Sequence, residues 1–307
     1  MTSYLVPKCG IWWGAHSSVG WQAFEQMIGR ELAIVHDYTG WTDTFPDPSD
    51  KQAAAGGRIL YVDWEGKNYA TGQPAATWAQ IANGSQDSRI KSEALTLKAF
   101  GKPIMVTFQA EPEGKASLPY GSGANYVAAW RHIHTIFADE GVTNVVWVWD
   151  VTGDTADHGS EYPSYYPGDA YVDWIMWDPY NWYTCRTRAE SWQTLGDKVS
   201  AMYDWLTANS GKAGNGNYLS KPWGLAEYGS VDGPLRGTSV TTSSKGQWFE
   251  SEVTEAQSQF PRLKALIYFD SQDVASGRSC DWRVNSTSGA LAGYKAAGAS
   301  SYVTSMP

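Results

Sequence analysis

Eight short apolar runs recur along the chain, at residues 9–13, 32–37, 59–64, 103–109, 144–150, 172–178, 222–226 and 263–270, each ending in polar or aromatic residues. Most are continuous rather than alternating in hydrophobicity, the pattern of strands covered on both faces of a parallel sheet. Between them, residues 21–28, 89–99, 124–140, 191–208 and 246–257 carry apolar side chains at helical spacing. Strand alternating with helix indicates parallel crossover units. Eight such units in 307 residues fit a closed (β/α)8 barrel better than an open doubly wound sheet. No Gly-x-Gly-x-x-Gly follows the first run, so a dinucleotide-binding fold has no support. The Pro- and Gly-rich pieces at 45–57 and 211–221 fall between a strand and its neighbour and read as loops, so residues 1–307 are expected to form one domain.

A barrel of this kind gathers its reacting groups at the C-terminal ends of the strands. The fourth run ends Val-Thr-Phe-Gln-Ala-Glu-Pro-Glu-Gly and puts Glu111 at the barrel mouth; the seventh ends Trp-Gly-Leu-Ala-Glu-Tyr-Gly and puts Glu227 at the same level. Strands four and seven stand on opposite sides of an eight-membered ring, so the two carboxylates converge across the cleft. Glycoside hydrolysis needs such a pair: one carboxyl protonated to serve the leaving oxygen, the other ionised to attack or stabilise the anomeric carbon. The separation that decides between retention and inversion is not written in the sequence. Glu113 is the alternative to Glu111. Further mouth candidates are Trp12, Trp13 and His16 after strand one, Asp37 and Trp41 after strand two, and Asp63, Trp64 and Glu65 on strand three. Asp150, Asp178 and Asp270 also end strands, and acids this dense would raise the pKa of Glu111 by like-charge repulsion.

Composition narrows the partners. The chain has 17 Trp and 18 Tyr against 8 Phe, a preference for rings that carry a polar edge. Such rings suit a carbohydrate cleft, and at least three Trp are expected to line one. A net charge of −9 argues against nucleic acid, whose phosphates are held by Lys and Arg. No apolar run approaches a membrane span. The N-terminus shows no charged region followed by an apolar core, so no signal peptide is visible, although a secreted, monomeric protein is expected. Cys9, Cys185 and Cys280 fit no metal spacing, and no calcium loop occurs, so no cofactor or metal is expected. Cys185 and Cys280 lie in polar loops and are expected to pair, leaving Cys9, beside the apolar residues 11–13, free and buried.

Several stretches resemble glycoside hydrolase family 26, over essentially the whole length. They are Glu111-Pro112-Glu113-Gly114, Asn144-Val145-Val146-Trp147-Val148-Trp149, residues 166–174, Asp178-Pro179-Tyr180-Asn181-Trp182, Ala226-Glu227-Tyr228-Gly229, Tyr268-Phe269-Asp270 and Asp281-Trp282-Arg283. Each is weak alone; their order and spacing carry the resemblance. It implies Glu111 as acid/base, Glu227 as nucleophile and Tyr180 as a hydrogen-bond donor to the nucleophile. It also implies Trp177, Trp182 and Trp282 as sugar platforms; Asp178, Asp37, Trp12 and His16 are expected among the substrate contacts from their places at strand ends. Family members usually carry His before the acid/base Glu, whereas Ala110 stands here after Gln109, which would supply a neutral hydrogen bond instead. The implied activity is retaining endo-hydrolysis of a β-linked polysaccharide. β-Mannan comes first, then β-1,3-1,4-glucan and β-1,3-xylan. A bacterial envelope or capsular glycan is the alternative substrate, and a carbohydrate-binding barrel without catalysis is the alternative class.

Overall fold

The computed structural model describes residues 4–183, 185–187, 190–233, 244–275 and 277–304. Their framework is eight strands: β1 (Ile11–Ser17), β2 (Ile34–Gly40), β3 (Ile59–Glu65), β4 (Ile104–Phe108), β5 (Val145–Val151), β6 (Trp174–Trp177), β7 (Trp223–Leu225) and β8 (Leu263–Asp270). Each pairs in parallel with the next, and β8 closes onto β1 with Trp12 opposite Ala265 and Ser17 opposite Asp270. This is a closed (β/α)8 barrel. The longer surrounding helices are α1 (Trp21–Ile28), α2 (Pro48–Ala55), α3 (Asp87–Phe100), α4 (Gly123–Asp139), α5 (Leu195–Asn209), α6 (Ser244–Gln259) and α7 (Ser288–Gly298). Between β5 and β6 stand only the short helices Thr155–His158 and Tyr162–Tyr165.

Local sequence sets the helix ends. Asp47 and Asp50 form a reciprocal capping box ahead of Pro48 at the start of α2, and Ser122 with Asn125 and Thr194 with Asp197 do the same for α4 and α5. Gly29 and Gly101 end α1 and α3 in left-handed conformations that a Cβ would strain. Among the described residues no helix is long and apolar enough to cross a membrane.

Strand residues alternate between two cores. Trp12, Ile34, Tyr61, Met105, Val146 and Met176 fill the barrel, while Val35, Leu60, Val106, Trp149 and Trp177 pack against the helices. Both faces are apolar, which is why the runs show no alternation. Thirteen of the 17 Trp are buried, and their indole N–H groups often donate to backbone carbonyls: Trp12 to Leu5, Trp174 to Tyr4, Trp223 to Tyr218. The tryptophan excess therefore serves the core rather than a groove; several polar edges are met by backbone or side-chain acceptors, while the indole N–H groups of Trp64, Trp78, Trp149 and Trp177 are buried without one among the described residues.

Above the mouth, the Tyr180–Asn181 segment pairs in parallel with Gly229–Ser230, and β8 runs on into a hairpin of Gln272–Ala275 and Arg278–Asp281. A Cys185–Cys280 disulfide joins the loop after β6 to this hairpin. Cys9 is free but exposed, against expectation. The strand begins at Ile11, and Cys9 sits in the bend before it, where its carbonyl accepts from the Thr304 hydroxyl.

Candidate active site

Glu227 stands two residues past the end of β7. The short apolar strand fixes its backbone, and the Glu227 N–H donates to Asp178 Oδ1 at 2.8 Å. The Tyr180 phenol donates to Oε2 at 2.5 Å, and the Tyr38 phenol donates to Oε1. Burial pushes the Glu227 carboxyl above its ordinary range, while the phenols of Tyr180 and Tyr38 pull it back by favouring the charged form. Both phenols are themselves pushed well above the usual tyrosine range, first by burial and then by Glu227, so they remain donors.

Glu111 reaches the same space by a different route. Beyond β4 the backbone turns sharply, with left-handed φ values of 57° at Gln109 and 48° at Glu111. Non-glycine residues held there are strained, and such strain gathers at functional sites. The turn is pinned by the Ala110 N–H to Asp63 Oδ1 at 3.2 Å and the Glu111 N–H to the Asp150 carbonyl at 3.2 Å. The groups that act on the Glu111 carboxyl are other acids and a cation rather than phenols. Burial, then the negative charges of Glu227 and Glu113, push it up to about 8, against the pull of Arg186 and a hydrogen bond with Asp178. One carboxyl is thus set to hold a proton near neutrality, while the other is supplied with donors for its ionised form.

The remaining acids sort by partner. Glu113 is buried, and its Oε1 accepts from the Thr152 N–H at 2.7 Å and the Thr152 hydroxyl at 2.8 Å, so it holds the loop after β5. Asp270 accepts from the Ser17 hydroxyl and the Val284 N–H, both at 2.6 Å, tying the end of β8 to β1. Asp150 accepts from Tyr61 at 3.0 Å inside the barrel. Asp178 is buried, and burial followed by Asp150, Glu227 and Glu111 pushes its pKa well up. It touches both glutamates, a supporting position beneath them. Among the described residues no group of three or more His, Cys, Asp or Glu is arranged to hold a metal ion.

Most of the expected substrate contacts do not line the cleft. Trp12 is near the start of β1, plugging the barrel interior far from the mouth. Trp177 faces the helices with Trp223. Trp13, Trp41 and Trp64 share that outer core. Asp37 also points outward, toward Asp47 and Asp50 at α2. Trp282 is fully buried behind Tyr180, ring centroids 4.7 Å apart, and braces that tyrosine. Of the three expected platforms only Trp182 keeps partial exposure, with the Arg186 guanidinium over its ring. Gln109 is buried and its side-chain carbonyl accepts from the Gly66 N–H at 3.1 Å, which commits it to the β3 loop. His16 stays near the mouth, half-buried, stacked on Phe269 and edge-on to Tyr38.

Tyr38 is the site residue that sequence reading missed. Ending strand two at Asp37 hid it; β2 runs on to Gly40, and Ile34, His36 and Tyr38 share the inward face. Counting in twos from Ile34 would have found it.

The chain is 31% identical over 300 residues to endoglucanase H of Acetivibrio thermocellus, a match that takes in 94% of this chain. The chain spans only 30% of the length of that relative. No family profile matches the chain. Among solved structures, the catalytic domain of the Bacillus sp. JAMB-750 GH26 endo-β-1,4-mannanase superposes with a TM-score of 0.66 at 15% identity, covering 97% of this chain and 88% of that one. GH26C of Muricauda sp. MAR_2010_75 gives 0.65 at 14% identity, covering 99% and 89%. The Bacillus subtilis mannanase BCman gives 0.62 at 16% identity, covering 98% and 88%. At these identities the structural likeness establishes a shared barrel fold.

Proposed function

We propose that this chain is a retaining endo-glycoside hydrolase of family 26 that cleaves a neutral β-linked polysaccharide. The observation that carries the reading is the unequal treatment of two facing carboxyls, Glu111 pushed to about 8 and Glu227 supplied with two phenol donors. In the first step a Glu227 oxygen attacks the anomeric carbon while Glu111 gives its proton to the departing glycosidic oxygen. A covalent glycosyl ester forms and the aglycone leaves. In the second step Glu111, now ionised, takes a proton from water, whose oxygen displaces Glu227 and restores both groups. The names of the relatives, mannanases by fold and an endoglucanase by sequence, favour mannan first and a glucan second.

The mouth's own charge bears on the substrate. Asp63, Glu65, Asp150 and Asp178 surround the catalytic pair with pKa values already pushed up by burial, so the cluster resists negative charge, and a glycan carrying carboxylates would add to what it resists. This favours a neutral polysaccharide over an anionic envelope or capsular glycan. A merely sugar-binding barrel would gain nothing from two costly buried carboxyls. The Cys185–Cys280 disulfide suits an oxidising compartment, in keeping with secretion, and a monomer is the simplest working form.

Release of reducing ends from β-mannan, mixed-linkage β-glucan, β-1,3-xylan and an anionic capsular polysaccharide tests the assignment. Turnover of a neutral β-glycan by the wild type, its loss in Glu227→Ala, and a glycosyl azide when azide is added to that variant are expected. Full turnover by Glu227→Ala would end the reading, and turnover confined to the anionic glycan would reverse the substrate class.

A further inference from the structure

The nucleophile position is held at both oxygens, and the two donors come from opposite sides of the barrel. Tyr180 lies just beyond β6 and serves Oε2; Tyr38 lies on the inward face of β2 and serves Oε1. The Tyr38 ring has no freedom to swing. It meets His16 edge-on at 4.7 Å, His36 at 4.4 Å and Phe269 at 6.4 Å. Below the carboxylate, Asp178 fixes the Glu227 backbone through its N–H. Resting on the assignment of Glu227 as nucleophile, we infer that Tyr38 is a second positioning residue, which fixes the plane of that carboxylate by holding the oxygen Tyr180 does not reach.

A carboxylate with one donor can rotate about its Cγ–Cδ bond and pivot on that hydrogen bond. Two donors on different oxygens remove this motion, and attack on an anomeric carbon depends on such alignment. The two bonds then diverge along the reaction. The oxygen that joins the sugar becomes a bridging ester oxygen, a poor acceptor, while the other becomes a carbonyl oxygen and keeps its donor. Whichever oxygen attacks, a phenol remains on its partner through both steps.

Glu227 is faced by the two phenols, by Asp178 beyond β6, by Glu65 and Asp63 on β3, by Glu111 and Asp150, and by Asp273 on the hairpin after β8. Among these acids, and against its own burial, the two phenols favour the charged form of Glu227. Removing one should raise its titration midpoint, because a hydrogen bond to a charged group is lost.

The experiment is a titration of protein labelled at glutamate carboxyls with 13C, with the Glu227 resonance assigned by its loss in Glu227→Gln. Tyr38→Phe, which keeps the ring packing, should raise the midpoint by about 1 to 2 pH units and lower kcat/KM about 10- to 100-fold on the hydrolysed glycan. Incorporation of a fluorotyrosine at position 38, a stronger donor of nearly the same shape, should lower the midpoint, and it provides the decision if Tyr38→Phe does not fold. A midpoint that stays at the wild-type value in both variants overturns the inference. If no glycan is hydrolysed while the midpoint moves as expected, the positioning stands and the hydrolase assignment falls.

Discussion

Two strand ends, β4 and β7, deliver the same amino acid to the same cleft and treat it in opposite ways. At β7 the chain runs regularly into Glu227, whose N–H is taken by Asp178 and whose two oxygens each receive a phenol. At β4 the chain is forced through two left-handed residues, Gln109 and Glu111, and the carboxyl is left among other acids. A barrel mouth that offers donors to the charge of one glutamate and only penalises the charge of the other gives two identical groups unequal tendencies to hold a proton. The difference lies in the donors that neighbouring strands supply, not in the residue.

Removing each glutamate should break the comparison most visibly. Glu227→Ala is expected to lower kcat on the order of 10⁵-fold on every substrate, because no covalent bond can form. Glu111→Ala is expected to lose about 10²- to 10⁴-fold on polysaccharide, yet to recover much of that loss with a dinitrophenyl glycoside, whose leaving group needs no proton. Steady-state kinetics on both substrates checks this. Equal losses on both substrates for the two variants would mean that the roles are not divided as described. Glu113→Ala supplies the contrast beside the site. The variant leaves the Thr152 N–H unpaired at a cost of about 1 to 3 kcal/mol, so thermal denaturation should show a lower Tm, and loss of the charge that helps to raise Glu111 should move the alkaline limb of the pH profile downward while the acidic limb stays in place.

The sequence disclosed the barrel well and the mouth unevenly. Strand positions were legible because both faces are buried and the runs stand out from polar loops. The same feature hid the side-chain direction. In a strand that is apolar throughout, no alternation tells Trp177, which faces the helices, from Met176, which faces the barrel interior. Asp37 was misassigned for that reason, by one residue of register; Trp12 was misplaced in level instead, because the strand runs on to Ser17 and leaves it near the start. Glu111 and Glu227 were legible because they sit past the apolar run, where position along the chain fixes the level. A period of two from Ile34 turns Tyr38 inward, but its contact spans 189 residues and joins strands that are not neighbours, so no local pattern names its partner.

The protonation asymmetry also predicts a stability difference. The folded pKa of Glu111 is raised to about 8 from an ordinary value of 4.5. A carboxyl raised in this way leaves stability intact below its unfolded pKa and loses it as pH climbs toward the folded value. Glu111→Gln, which cannot ionise, should therefore melt at the wild-type temperature at pH 4 and a few degrees higher at pH 8, by calorimetry on both proteins. A variant less stable than wild type at pH 8 would show that the folded site does not resist the Glu111 charge.

The finest adjustment falls to Arg186, the cation that counters the rise at Glu111. It lies next to the disulfide-bonded Cys185, with its guanidinium over Trp182 and Glu190 at 3.7 Å. Half-exposed and shared with Glu190, it acts through solvent as well as protein, so its influence is smaller than that of a buried partner. Its sign is nevertheless fixed. A positive charge favours ionised Glu111, so Arg186→Gln should leave the acid protonated to higher pH. The descending alkaline limb of kcat/KM, which reports loss of that proton, should move upward by a fraction of a unit, while the acidic limb set by Glu227 stays in place. A shift of both limbs together would mean that Arg186 acts on the whole cleft rather than on the acid alone, and the separate electrostatic treatment of the two glutamates would have to be abandoned at this edge of the site.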